Sequence, residues 1–176
     1  VRLVADAASA IVSQSRLADL IILGSKGSHP PAAPVTIHAR VPVLALPPAE
    51  IDMQARSPAL VAWNGSAASA NALRAALPLL RQSTAVHILT VGERDADFGP
   101  ERASEYLKHH AVTAQLDHVE SSRAPISDTI IRRAEELRAG VIVAGAFGHN
   151  RIREMLIGSV THALLRGSRI PLLLAH

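Results

Sequence analysis

The sequence predicts an α/β fold, an open five-stranded parallel sheet with helices on both faces, filling residues 57–176. Three observations carry this. From Ser57 onward short apolar runs alternate with runs of helical period, the pattern of strands joined by crossover helices. One of those runs, Val141-Ile-Val-Ala144, leads straight into a glycine-rich stretch that opens a helix. And 176 residues, 48% of them hydrophobic, suffice for one α/β core with some chain left over.

In order, Leu60-Val-Ala-Trp63 is a first strand ending in Asn64-Gly65-Ser66. Ser66 is placed to cap a helix whose inner face is Leu73, Ala76, Leu77 and Leu80, and Pro78 predicts a kink or an early end there. Ala85 to Val91 is the second strand, followed by a Gly/Pro-punctuated loop from Gly92 to Pro100 and a short helix from Glu101 to His110. Thr113 to Val119 alternates as a weaker third strand. Ile126, Ile130, Ala134 and Leu137 mark the inner face of the next helix, with Gly140 expected as its C-cap. Val141 to Ala144, a helix from about Asn150 to Arg166, and Ile170 to Ala175 complete the unit.

The N-terminal part repeats the last third of that unit. Ala18 to Gly24 parallels Ala139 to Gly145, and Arg40 to Pro47 parallels Arg169 to Ala175. The reading is therefore residues 1–48 as the C-terminal part of a truncated first repeat, 49–56 as linker, and 57–176 as a complete domain. The chain opens on Val1 rather than Met, so a truncation or an alternative start is the expectation there.

Composition excludes several function classes. With no cysteine there is neither a disulfide framework nor a thiolate nucleophile. The charge of +3 is spread along the chain without a basic block, and one Trp, one Tyr and two Phe supply a poor stacking platform, so no nucleic-acid partner is expected. No apolar run reaches the roughly 18 residues of a membrane span. A cytoplasmic location is the expectation.

Chemistry concentrates in the glycine loop. Gly145-x2-Gly148, nine residues, then Gly158-Ser159-Val160-Thr161 follow a buried strand. Glycines let main-chain amides approach a polyphosphate, the following helix adds the positive end of its dipole, and Ser159 adds a hydroxyl. Ligands of open sheets sit at the carboxyl ends of the strands where the order reverses, and Asn64, Gly65 and Ser66 should line that crevice. The same glycines also suit a tight strand-to-helix turn with close packing, and Asn64-Gly65 a plain turn.

This combination resembles the universal stress protein family, whose ATP-binding members carry G-x2-G-x9-G-[ST] after the fourth strand of an adenine nucleotide α-hydrolase-like, Rossmann-like domain. The resemblance covers residues 57–176 end to end, with residues 3–47 similar to the tail of a preceding copy in tandem-domain members. It implies a stress-response module that binds ATP, with or without Mg2+, with no catalytic residues and little or no turnover. Adenine and ribose contacts are implied for Trp63, Asn64 and Val91. Phosphate-side contacts are implied for Ala144, Gly145, Phe147, Gly148, Gly158, Ser159, Val160 and Thr161. It also implies a dimer through the last strand; the remnant's Val41 to Leu46 either occupies that partner position within the chain or leaves its own fourth strand exposed as a sticky edge. A nucleotide-independent interaction module of the same family is the alternative.

Two departures from the family pattern stand out. Asn64 replaces the usual Asp, keeping an acceptor but removing a charge, which weakens any metal or catalytic role there. In the first copy Gly24-Ser-Lys-Gly27 lacks the later Gly-Ser pair, so that half-site is expected not to bind nucleotide. His149, Arg151 and Arg153 flank the loop and are candidates to meet phosphate charge, whereas His109, His110 and His118 read as surface residues; no metal site is expected.

Overall fold

Seven strands join in one sheet in the order β1-β2-β7-β6-β3-β4-β5. They are β1 (Ile21–Gly24), β2 (Val43–Leu46), β3 (Ala59–Ala62), β4 (Val86–Val91), β5 (Ala114–Val119), β6 (Val141–Gly145) and β7 (Leu172–Ala175). The helices are α1 (Ala7–Gln14), α2 (Ala32–His38), α3 (Ala67–Leu80), α4 (Pro100–His109), α5 (Ile126–Glu136) and α6 (Ser159–Gly167). The computed structural model describes residues 7–24, 32–47, 56–92, 97–120, 124–146 and 159–176.

The sheet differs from the expected five strands because the N-terminal pair is spliced onto it. All pairings are parallel except one: β2 runs antiparallel to β7, with Leu44 opposite Leu173. β2 lies along the outer edge of β7 within the same chain, while β1 is at the edge of the sheet among the described residues, with Ile22 61% exposed. The edge of β7 would otherwise present unpaired amides and carbonyls flanked by buried leucines.

The pairing registers on the two sides of this junction correspond. Ile21 pairs with Val43 and Gly24 with Leu46. In the second half Ile142 pairs with Leu172 and Gly145 with Ala175, the positions that match them in sequence. Ile21 donates its N–H to the Pro42 carbonyl at 2.9 Å, and Ile142 donates to the Pro171 carbonyl at 2.9 Å. Across the junction Val43 faces Leu174 and Ala45 faces Leu172, so a local twofold passes between Leu44 and Leu173.

One face of the sheet packs on α3 and α4 through Leu73, Ala76, Leu80, Ala103 and Leu107. The other packs on α5 and α6 through Ile130, Ala134 and Leu164, continued under β1 and β2 by Ala8 and Val35 of α1 and α2. The period of two on each strand separates these faces. A single row on the α3 side, Ile22-Leu44-Leu173-Val143-Val61-Ile88-Leu116, crosses every strand. Its five central members are at most 7% exposed, while its ends, Ile22 and Leu116, are 61% and 42% exposed.

Two helix ends depart from expectation. α3 runs through Pro78 to Leu80 without stopping, because Pro78 lies in the last turn; there Gln82 Nε2 and Ser83 Oγ cap the Pro78 and Leu79 carbonyls at 3.0 and 3.1 Å. α5 ends at Glu136 rather than at Gly140, and the left-handed residue that closes it is Arg138 (φ 51°). Gly140 serves packing instead: a Cβ there would lie 2.7 Å from the Ser57 Cβ. The expected helix start near Asn150 lies outside the described residues; α6 is described from Ser159.

Candidate functional site

From β3 the chain steps outward to β4 and β5, then crosses to β6 and β7 on the other side of β3. The order therefore reverses between β3 and β6, the place where open α/β sheets in general leave a crevice beyond the carboxyl ends of their strands. Trp63, Asn64 and Gly65 leave β3 there, and Gly145 ends β6 alongside, in register one step beyond the Ala62–Ala144 pair.

The β3 side of the crevice is a built turn. Gly65 takes φ 77°, a left-handed conformation that favours glycine. Asn64 Oδ1 accepts from the Ser66 amide at 3.2 Å and from Ser66 Oγ at 2.7 Å. Ser66 Oγ in turn accepts from the Ser69 amide at 3.1 Å, capping α3. This relay commits the carbonyl end of the Asn64 side chain to the turn. Asn64 itself is exposed.

Trp63 is 4% exposed and belongs to the core under α3 and α4; its indole N–H goes to the Phe98 carbonyl at 3.0 Å, anchoring the segment that leads into α4. Val91 is half-buried at the end of β4, and Gly92 beyond it takes φ 82° while donating to the Val119 carbonyl at 2.9 Å.

On the β6 side, Ala144 is buried in the sheet. A Cβ on Gly145 would lie 2.5 Å from the Ser69 amide nitrogen and 2.7 Å from the Ala68 carbonyl carbon, so its lack of a side chain is what lets the first turn of α3 sit against β6. The next amide, Ala146, is bonded to the Ala175 carbonyl at 2.7 Å. The helix N-terminus and the ends of β3 and β6 thus meet at one point. Asn71 Nδ2, donating to the His176 carbonyl at 3.1 Å, ties α3 to the end of β7 as well.

Of the other sequence candidates, Phe147, Gly148, His149, Arg151, Arg153 and Gly158 lie outside the described residues, as does Gly27. Ser159 is the first residue of α6. Val160 packs half-buried against the face lined by Leu60, Leu89 and Ile142, and Thr161 is 4% exposed.

Sequence reasoning missed a polar ladder. His87 Nδ1 stands 3.2 Å from Asp117 Oδ2, which accepts from Arg133 Nη2 at 2.8 Å and Nε at 3.1 Å. Arg133 also reaches Glu136 at 3.3 Å, and Glu136 pairs with Arg132 at 2.6 Å. The bond to Asp117 pushes the Arg133 guanidinium above its ordinary value, and the bond from Arg133 holds the Glu136 carboxyl below its own. His87 is the second residue of β4, at the amino end of that strand, so the ladder stitches β4, β5 and α5 away from the crevice. The signal was His87 inside an apolar run, though its partner follows only from the strand register.

The fold is a doubly wound α/β arrangement of the Rossmann-like kind, with its strand order reversing between β3 and β6. The universal stress protein family model matches residues 56–176, and the chain belongs to that family. Universal stress protein Slr1230 of Synechocystis is 29% identical over 175 residues, covering 88% of this chain and 57% of that protein. A universal stress protein from Archaeoglobus fulgidus superposes with a TM-score of 0.75 at 21% identity, covering 96% of this chain and 64% of that one. A universal stress protein in complex with cAMP gives a TM-score of 0.53 at 24% identity, covering 70% of this chain and 99% of that one. These structural likenesses establish the fold. This chain spans less than two thirds of the first two relatives. No described helix is long and apolar enough to cross a membrane.

Proposed function

We propose that residues 57–176 are a stress-response module that binds an adenine nucleotide, ATP with Mg2+ in the first instance, and that it does so with little or no catalysis. The observation that carries this is the convergence, at the switch point between β3 and β6, of the Asn64-Gly65-Ser66 turn, the N-terminus of α3 and the start of the G-x2-G-x9-G-S sequence. The cAMP complex of a family relative supports nucleotide as the ligand class. In this reading Asn64 and Val91 meet the nucleoside with Trp63 holding the pocket wall. Main-chain groups around Gly145, Gly148 and Gly158 to Thr161 meet the phosphates.

Amides and hydroxyls stabilise charge but do not activate water, and the partly buried His87–Asp117 pair stands away from them, with His87 at the amino end of β4. Turnover should accordingly be slow. Residues 7–47 are proposed to be the corresponding part of a second unit of the same kind, with β2 standing in for a partner's last strand. The matched registers on either side of the Leu44–Leu173 twofold support this.

A second reading, an interaction module without nucleotide, is favoured by Gly145, whose missing side chain is fully accounted for by the backbone of α3. Calorimetric titration with ATP and Mg2+ separates the two. The protein freed of co-purified nucleotide should bind saturably, and Gly158→Asp, which sets a carboxylate in the phosphate loop, should abolish the heat. A folded protein that gives no heat leaves the interaction module.

A further inference from the structure

β7 lies between β2 and β6, and so between the junction of the two chain segments and the strand that ends in Gly145. Its carboxyl end is fastened on both sides. Leu174 faces Val43 of β2 across the junction. One residue on, the Ala175 carbonyl accepts from the amide of Ala146, the residue after Gly145, at 2.7 Å. At the next, the His176 carbonyl accepts from Asn71 Nδ2 of α3 at 3.1 Å. Arg74, whose side chain can only donate, bonds to Asn71 Oδ1, which leaves the Asn71 amide nitrogen for His176. Two residues therefore separate the β2 pairing from both the G-x2-G segment and α3.

The side chains of β2 make the same connection on each face of the sheet. Leu44 belongs to the cluster that contains Ala72, Leu73 and Ala76 of α3. Its neighbour Ala45 points the other way, into the cluster that contains Ala32 of α2 and Leu164 of α6, against which Val160 also packs. α3 seats its first turn on Gly145, and α6 begins at Ser159. The two helices that bear on the proposed phosphate site thus share one wall, and that wall is a strand from residues 7–47.

We propose that the pairing of β2 with β7 and the binding of nucleotide are energetically linked, so that residues 7–47 regulate the site through α3 and α6. This rests on the nucleotide reading above. With β2 in place, both helices are held from behind; when β2 leaves β7, each loses an apolar flank and the phosphates meet a looser site. Linkage is reciprocal, so bound nucleotide holds β2 on β7 by the same factor by which the junction raises affinity.

The test titrates ATP with Mg2+ into the 176-residue chain and its variants by calorimetry. Leu44→Asp sets a carboxylate against Leu173 to part the strands, and Asn71→Ala cuts the tie between α3 and β7 alone. Leu44→Asp, read where it sediments as a monomer and with the Ile88 and Leu89 amides still protected, should bind at least about ten-fold more weakly. Leu107→Ala, a core truncation in α4, should leave affinity unchanged. Pro42 turns its carbonyl to Ile21, so by the period of two the Val43 and Ala45 amides face β7. In the unaltered chain, saturating nucleotide should slow exchange of those two amides at least about ten-fold, and Asn71→Ala should reduce the slowing. This readout holds whether or not Leu44→Asp folds. Unchanged affinity in folded Leu44→Asp, an equal loss in Leu107→Ala, or no slowing at Val43 and Ala45 overturns the linkage and leaves the nucleotide reading standing. No heat from the folded, unaltered chain overturns both.

Discussion

Gly145 and Gly24 occupy matching places in strands of matching register, yet a methyl group should cost very different amounts at the two. At Gly145 it would lie 2.5 Å from a backbone nitrogen of α3, which cannot rotate away as a side-chain tip does. Gly145→Ala should therefore destabilise by about 1–3 kcal/mol, the usual range for overpacking. At Gly24 nothing lies within 4 Å and φ is not positive, so Gly24→Ala should be neutral or stabilise by about 0.4–1 kcal/mol by restricting the unfolded chain. Urea denaturation of both variants checks the pair, and equal effects would mean that α3 does not sit on β6 as described. The Asn64–Ser66–Ser69 relay is a second residue-scale device. Ser66→Ala removes the cap of α3 and should cost about 1 kcal/mol. Because α3 also bears on Gly145 and on His176, the loss should loosen the crevice, read as faster amide exchange at Ser69.

At the scale of elements, the sequence was most legible where its signals are local. The apolar runs, the Ser66 cap and the helix faces are short-range patterns, and the structure places strands and helices on them, except that Ile126, expected on the inner face of α5, is 45% exposed at its first position. The helix ends were less legible because long-range contacts decide them. Gly140 looks like a C-cap but is a glycine because Ser57 presses on it. The true closures use non-glycine residues in the left-handed region: Ala111 (φ 60°) after α4 and Arg138 (φ 51°) after α5, each followed by a return bond, Val112 to Leu107 and Ala139 to Ala134. Left-handed backbone costs an L-residue roughly 1–2 kcal/mol, so Ala111→Gly should raise stability by about 1 kcal/mol, seen as a higher Tm. The polar ladder adds a pH dependence. Glu136 is held below its ordinary value near 4.5, chiefly by the bond from Arg133, so the folded state binds its proton less readily than the unfolded. Its contribution is present above that ordinary value and is lost as pH falls through the lowered one. Glu136→Gln should make the acid limb of the stability profile shallower, and the difference should shrink in high salt because the group is exposed.

For the whole molecule, what the sequence left open was which strand lies beside which. The composition of Val41–Leu46 did not say which strand it would lie beside, since nothing local in an apolar run names its neighbour. Pairing is non-local, and only the register across Leu44 and Leu173 decides it. The meeting of the β3 and β6 ends was legible for the opposite reason, because a reversal of strand order places the same loop ends together whatever the edges do. The register also makes a prediction about assembly. All four residues of β7 are buried, and β2 lies along its outer edge. Remove residues 1–55 and that edge is opened, with Leu173 at its centre. The twofold that now relates Leu44 to Leu173 would then relate Leu173 to itself in a second copy, with Leu172 opposite Leu174, a closed isologous contact that needs no new surface. The intact chain should sediment as a monomer and residues 56–176 as a dimer at the same concentration, and Leu173→Lys in the shortened protein should return it to a monomer. A shortened protein that stays monomeric and folded would mean that β2 covers a strand with no affinity for its own kind.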